Sequence, residues 1–485
     1  MKNIKTQCKG LFLSLILLAP MLFAAQNEPS ILDQGAGTPV SEVLKNVQRH
    51  YPLIQAARAE INGKDALIQA AQGAFDPVLD GSIKNRLSGY YEGNSIETTY
   101  SKRFPALGTK VFAGFKRSNG DFPVYENNLV TANDGESRIG MSFSLWRDRD
   151  IDEFRYDTAS ARVDALSERY QLQQDMIGIL QDAYITYAQW LQAARLLNDY
   201  SELLVIAQDR AVAVQRNVES GNVAEILAVD NELAVLQRRG LVVDAQRLLD
   251  ASAFKLSLYL RNEDGSPRLP VYQQDLLMPE EDITDTRNMD QILERVIELD
   301  PVIAKTRLAR EQQELDIRLA ENQAKPRVDL RLYNSRDFGS GITALQGPEN
   351  VADINFSIPL ATNSARGKAS AARPRISSLD FRLTQIVNQT RTNLEVALVN
   401  LDATREMESI ALLELEAAQR LADAEARRVE TGLSDFFQLN QREQYVAQAE
   451  LKRWQAHFGH QVALANYYGV SLNLKALGIE QFSAE

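Results

Sequence analysis

Two histidines three residues apart, His457 and His460, fall on a stretch that reads as helix, and one helix face at that spacing can offer two nitrogens to a metal ion. No further histidine or cysteine accompanies them, so a packing or surface role is expected and no metal is assigned. Asp337-Phe338-Gly339 spells a magnesium-binding tripeptide of protein kinases, but it follows a strand pattern and no catalytic-loop motif is present, so a turn is expected. Gly35 and Gly37 lie in a leader segment without the strand and helix that a phosphate loop needs. Trp190 and Trp454 read as wall packing. No nucleophile is paired with a base, and the single cysteine, Cys8, lies ahead of an apolar run near the amino terminus. These side chains argue against an enzyme and against a cofactor.

The elements around them say more. Lys2, Lys5 and Lys9, the apolar run from Leu11 to Ala19 and the small pair Ala24-Ala25 follow the three-part pattern of a secretory signal peptide over residues 1–25. The run is shorter than the ~20 residues that a spanning helix needs, which disfavours a membrane anchor. Those lysines are the only charges in residues 1–25, so the overall net charge of −12 becomes −15 for the remainder. Such an acidic exported chain, with no clustered basic face, is a poor binder of nucleic acid or anionic lipid heads. No later stretch is apolar enough for a transmembrane helix, so any membrane crossing must be a β-barrel.

The chain is also written twice. Residues 52–80 align without a gap on 301–329, sharing Pro52/Pro301, Ile54/Ile303, Arg58/Arg307, Pro77/Pro326 and Asp80/Asp329. Arg216-Asn217-Val218-Glu219-Ser220-Gly221 matches Arg427-Arg428-Val429-Glu430-Thr431-Gly432, and Glu232, Val235 and Gln237 recur as Glu443, Val446 and Gln448. After a leader at 26–38, the first repeat covers 39–262, with helices at 40–74, strands within 77–146 and a long helical hairpin at 151–260. A linker at 263–287 leads to the second repeat at 288–470, with helices at 288–324, strands at 326–360 and a hairpin at 376–468; a tail, 471–485, follows. Pro374 is expected to break or kink the entry to the second long helix.

Between Ile151 and Val218 there is no proline, and Met176, Leu180, Ala183, Tyr187, Trp190, Ala194, Leu197, Ser201 and Leu204 step by four and three. That is a heptad seam, and a helix over 151–218 would reach about 100 Å. Its return helix is much shorter, but helix 52–74 stacked on that return helix would nearly match its length. The strands alternate, with Ile139, Met141, Phe143 and Leu145 against Arg138, Gly140, Ser142 and Ser144, and Ile354, Phe356, Ile358 and Leu360 against Asp353, Asn355 and Ser357. One face apolar and one polar suits either a lipid-facing barrel or a soluble sandwich. An extra Gly-rich hairpin near 96–118 has no counterpart in the second repeat.

The order helix, strands, long helix, Gly-containing turn and return helix, given twice over about 40–470, resembles the TolC family of outer-membrane efflux channels. Arg216-x-Val-Glu-Ser-Gly221 with Asp230, Arg427-x-Val-Glu-Thr-Gly432-Leu433-Ser434, and the strand ends Phe143-Ser144-Leu145 and Phe356-Ser357-Ile358-Pro359-Leu360 carry the likeness. The resemblance implies an α+β, mainly α fold: a homotrimer whose chains each give four strands to a shared 12-stranded outer-membrane barrel and four helical columns to a periplasmic tunnel. It implies a passive exit duct for efflux or type I secretion, outer-membrane lipid around the barrel, and a periplasmic adaptor and inner-membrane transporter as partners. Arg216, Val218, Glu219, Gly221, Asn222, Arg427, Val429, Glu430, Gly432, Leu433 and Ser434 would then form the periplasmic tips where the adaptor docks. Related channels often place an aspartate six residues after the tip glycine; here Leu227 and Gln438 stand there. Some latch the entrance with an aromatic residue and an arginine, where this chain has Val429 and Ser434. An acidic entrance ring would therefore use Asp230 and Asp435. The alternative reading is a non-conducting periplasmic coiled-coil scaffold or adaptor.

Overall fold

Proline and acidic caps fix where the short helices begin. In the computed structural model, which describes residues 37–123, 129–279, 289–341, 345 and 347–479, α1 (Val40–His50) is followed by α2 (Pro52–Gln72) with proline in its first turn, where a missing N–H is harmless. The second repeat begins in the same way, with α5 (Met289–Leu299) and α6 (Pro301–Gln323), the latter capped by Asp300 accepting from the Val302 amide at 2.7 Å. The signal peptide, most of the leader, residues 280–287 of the linker and 480–485 of the tail lie outside the described residues.

The long hairpins are α3 (Glu153–Glu219) with α4 (Glu225–Ser257), and α7 (Asn363–Glu430) with α8 (Phe436–Val470). The second long helix thus starts at Asn363 rather than near Ile376, and Pro374 lies inside it. A proline there removes one helical hydrogen bond and costs about 3 kcal/mol. Packing offsets that cost: Ala365, Ala369 and Ala372 are buried, and Arg373 and Arg310 pair with Glu321 and Asp380 across the α6–α7 seam.

The short helices stack end to end beside the long ones. Asp65 of α2 meets Arg169 in the first third of α3, while Leu249, Ala253 and Leu256 of α4 pack with the middle of α3. Both α6 and α8 lie against α3 as well as α7, through Tyr156–Asp316, Gln181–Asn466 and Tyr184–Gln461. The lateral order is therefore α2/α4, α3, α6/α8, α7: four columns. The main core sits where the short helices meet. There α1, α5, Met176–Ala194 of α3, Leu394 and Leu401 of α7, Leu464 and Tyr468 of α8 and Leu472–Ile479 form a girdle.

Six strands, not four, make one antiparallel meander: β1 (Val78–Asn85), β2 (Gly93–Arg103), β3 (Lys110–Gly120), β4 (Gly135–Ser144), β5 (Arg327–Phe338) and β6 (Pro348–Ser357), each paired with the next. The register aligns Leu79, Tyr100, Ala113 and Ile139 in one row, and Val111, Met141, Leu332 and Ala352 in another. Successive residues alternate, so Asp80, Glu97, Lys116, Glu136, Arg138, Asp329 and Arg331 share the opposite face. That polar face is the more enclosed one, since Ser101, Lys116 and Ser335 are buried, while Ile83, Ile139 and Phe356 are 78%, 61% and 73% exposed. Among the described residues no helix is long and apolar enough to cross a membrane.

Candidate functional site

The ends of the helical hairpins far from the sheet have one backbone design. In the first, the Gly221 amide donates to the Val218 carbonyl at 2.8 Å and the Asn222 amide to the Asn217 carbonyl at 2.9 Å. In the second, Gly432 donates to Val429 at 3.0 Å and Leu433 to Arg428 at 2.8 Å. This pair of bonds is the Schellman helix end, which needs a left-handed residue at its centre; both glycines have φ of +74°. A Cβ added to either would meet open space, so conformation alone demands glycine. Arg216, Glu219, Asn222, Arg427, Glu430 and Leu433 are exposed around these turns; Val218, Val429 and Ser434 are half-buried.

The four entrance candidates have different surroundings. The Asp435 carboxylate is exposed and caps α8, accepting from the Gln438 amide at 2.9 Å. Leu227 is half-buried in the first turn of α4. Asp230 accepts from Asn440 of α8 at 2.9 Å, and Asn440 accepts in turn from Arg210 of α3 at 3.0 Å. Arg210 grips Glu443 of α8 with two nitrogens, one at 2.7 Å, and Arg238 of α4 binds the same carboxylate. The network therefore ties three helices together about 14 Å inside the tips, nine residues before the end of α3. Arg238, Glu443 and Asn231 are each less than 9% exposed. Burial lowers the Arg238 guanidinium from its ordinary value, opposed by the Glu443 charge.

Sequence reasoning missed Arg210, Arg238 and Asn440 and saw Glu443 only as a repeat match. A signal was present. Glu443 falls between Leu439 and Val446 on the buried seam of α8, and Arg238 between Ala234 and Ala245 on that of α4; a charge on an apolar seam needs a partner across it. Further up, Glu450 of α8 lies beside Asp199 of α3. Burial first, then the Asp199 charge, push its carboxyl up to about 7 against the pull of Arg453.

The other residues singled out for chemistry pack. His457 meets Glu408 at 2.6 Å and His460 meets Thr404 at 3.2 Å, each across the α7–α8 seam. Trp190 is fully buried between Tyr187 and Tyr272, and the Trp454 indole donates to Asp199 at 2.6 Å. Asp337 holds the Ala132 amide at 2.8 Å, and Gly339 turns the chain with φ of +89°.

No protein-family model and no curated protein matches the chain by sequence. Solved structures do match it in shape. The outer membrane protein VceC of Vibrio cholerae superposes with a TM-score of 0.61 at 12% identity, over 90% of this chain and 96% of that one. The chain has the outer-membrane factor fold. The same fold is seen in the CmeC outer membrane channel of Campylobacter jejuni, with a TM-score of 0.60 at 12% identity over 92% and 87% of the two chains. The open state of the MtrE outer membrane channel of Neisseria gonorrhoeae matches at 0.59 and 13% identity, over 90% and 89%. Within this fold the two helical hairpins and their glycine turns follow the duplicated sequence. The six-stranded sheet departs from the four strands that the resemblance implied.

Proposed function

We propose that three copies of this chain form a passive exit duct across the outer membrane and periplasm, part of an efflux or type I secretion assembly. The observation that carries the reading is the sheet, which is inside-out for a soluble protein: its uncovered face holds Leu79, Ile83, Ile139, Ile354 and Phe356, while its enclosed face holds paired charges. An apolar face left in water is an aggregation patch, whereas in lipid it is the stable side of a barrel. The helical columns then carry the duct inward by about 100 Å, the length of the long helices.

The inner end works as the entrance. Exposed Arg216, Glu219, Arg427, Glu430 and Leu433 at the tips receive a periplasmic adaptor, and the Arg210–Arg238–Glu443 network behind them holds the columns in one arrangement. Cargo is selected and driven by an inner-membrane transporter. Expressed with its leader in a bacterium that has an outer membrane, the chain should fractionate with that membrane as a heat-resistant trimer and give stepwise conductance in planar bilayers. A soluble, non-conducting periplasmic monomer would replace the duct with the scaffold reading.

A further inference from the structure

Resting on the duct reading, we infer that the β2–β3 hairpin is two additional wall strands of the barrel, so that the trimer encloses eighteen strands rather than twelve. Four features bind the hairpin into the wall. Its pairing is continuous: β2 pairs with β1 along all of β1, and β3 pairs with β4 from Lys110 to Lys116. Its faces agree with those of its neighbours. Ile96, Tyr100, Val111, Ala113 and Phe115 fall on the apolar face beside Ile83 and Ile139, and Glu97 and Lys116 on the polar one. A hairpin lying over the mouth or folded into the lumen would have no reason to keep that phase, because a one-residue slip exchanges the faces.

The charges on the polar face make the same point. Lys116 of β3 pairs with Glu136 of β4 at 3.0 Å, and Arg138 of β4 reaches across β3 to Glu97 of β2. It passes over Gly114, the one position opposite Arg138 in β3, which has no side chain to obstruct it. Removing the hairpin from the wall would leave Glu136 and Arg138 without these partners. The turn between β2 and β3 is also seated at the helix end of the sheet. Gly108, with φ of +58°, lies where a Cβ would stand 2.7 Å from the Asp148 carbonyl, and Arg103 stacks on Phe154 of α3 at 4.2 Å.

The widths fit. Strands spaced ~4.8 Å apart and tilted ~40° occupy about 38 Å of circumference for six and about 25 Å for four. Four helical columns at 8–10 Å spacing occupy about 32–40 Å. Six strands therefore cover the width of the four columns below them at ordinary tilt. The open edges are complementary: β1 runs away from the helices and β6 toward them, so β6 of one copy can pair antiparallel with β1 of the next. Lipid cannot satisfy those edges, and a second copy of this chain can. The closed ring would be about 36 Å across.

The test images the wild-type protein in lipid nanodiscs and counts strands: eighteen is expected, and twelve overturns the inference. Independently, single spin labels at Y100C, F115C and, as a β6 reference, I354C report whether oxygen from the lipid or a water-soluble nickel complex reaches each site. All three should show the same oxygen preference. Nickel access at Y100C and F115C with I354C still in lipid would overturn the hairpin assignment and leave the duct standing. Nickel access at all three would overturn both.

Discussion

The two hairpin tips share a turn and differ beneath it. A shift of 211 residues carries Gly221 onto Gly432, and the two turns superpose bond for bond. The same shift carries Val214 onto Glu425, Asn231 onto Arg442 and Ala224 onto Asp435. Under the first tip, therefore, Val214 is buried, Asn231 donates within its own helix to the Leu227 carbonyl and accepts from Asn440 of α8 at 3.5 Å, and α4 starts without a side-chain cap. Under the second, Glu425 is buried against Ser434 and Arg428, with Arg442 at 4.0 Å, and Asp435 caps α8. Duplication kept the turn, where only glycine fits the backbone, and changed what locks each hairpin shut. The same asymmetry places Glu443, buried between two arginines, where the first repeat has exposed Glu232.

Breaking that last contrast should have the largest effect. E443Q leaves buried Arg238 and half-buried Arg210 without a carboxylate and should destabilise the helical end by about 3 kcal/mol, read as a lower urea midpoint. E232Q should shift it by less than about 0.5 kcal/mol. Equal effects would show that the buried network does not hold this end of the helices together. Next come the turns themselves: G221V and G432V should each cost about 1–2 kcal/mol, because both glycines sit in open space and only the left-handed backbone is violated. Hydrogen exchange in the last turns of α3 and α7 would report this, and unequal losses would show that the turns are less alike than their geometry.

Smaller still is the cap. D435A should cost about 1 kcal/mol at the start of α8, whereas A224D should gain a comparable amount at α4 and bring the two tips closer in exchange rate. A further effect is one of pH. Glu450, whose repeat equivalent is exposed Arg239, is pushed up from 4.5 to about 7, so the folded chain holds a proton that the unfolded chain releases in that interval. Stability should fall as pH rises from about 4.5 to about 7 and then level off, and E450Q should lose that slope in a melting-temperature series.

What the sequence made legible was local. Heptad steps from Met176 to Leu204, strand alternation at Ile139–Phe143 and Ile354–Phe356, and the Val-Glu-Ser/Thr-Gly endings each depend on residues a few positions apart. The alternation at 96–103 and 110–117 gave faces but not neighbours, so the place of the extra hairpin became clear only from the register with β1 and β4. Pro374 read as a break because propensity weighs one residue, whereas the flanking alanines and ion pairs weigh the whole seam. The Arg210–Arg238–Glu443 network was hidden for a further reason: Arg210 and Arg238 find Glu443 from 233 and 205 residues away, on three separate helices.

The girdle is the main contact between the columns but not the last one. Its cluster ends near Ala194 on α3, about 38 Å short of Glu219. Within that length Leu196, Tyr200, Ala245 and Ala447 pack together, and Glu443 joins Arg210 and Arg238. A rigid tilt of about 8° about the girdle would carry a tip through about 5 Å, yet it cannot part the columns without breaking those buried pairs.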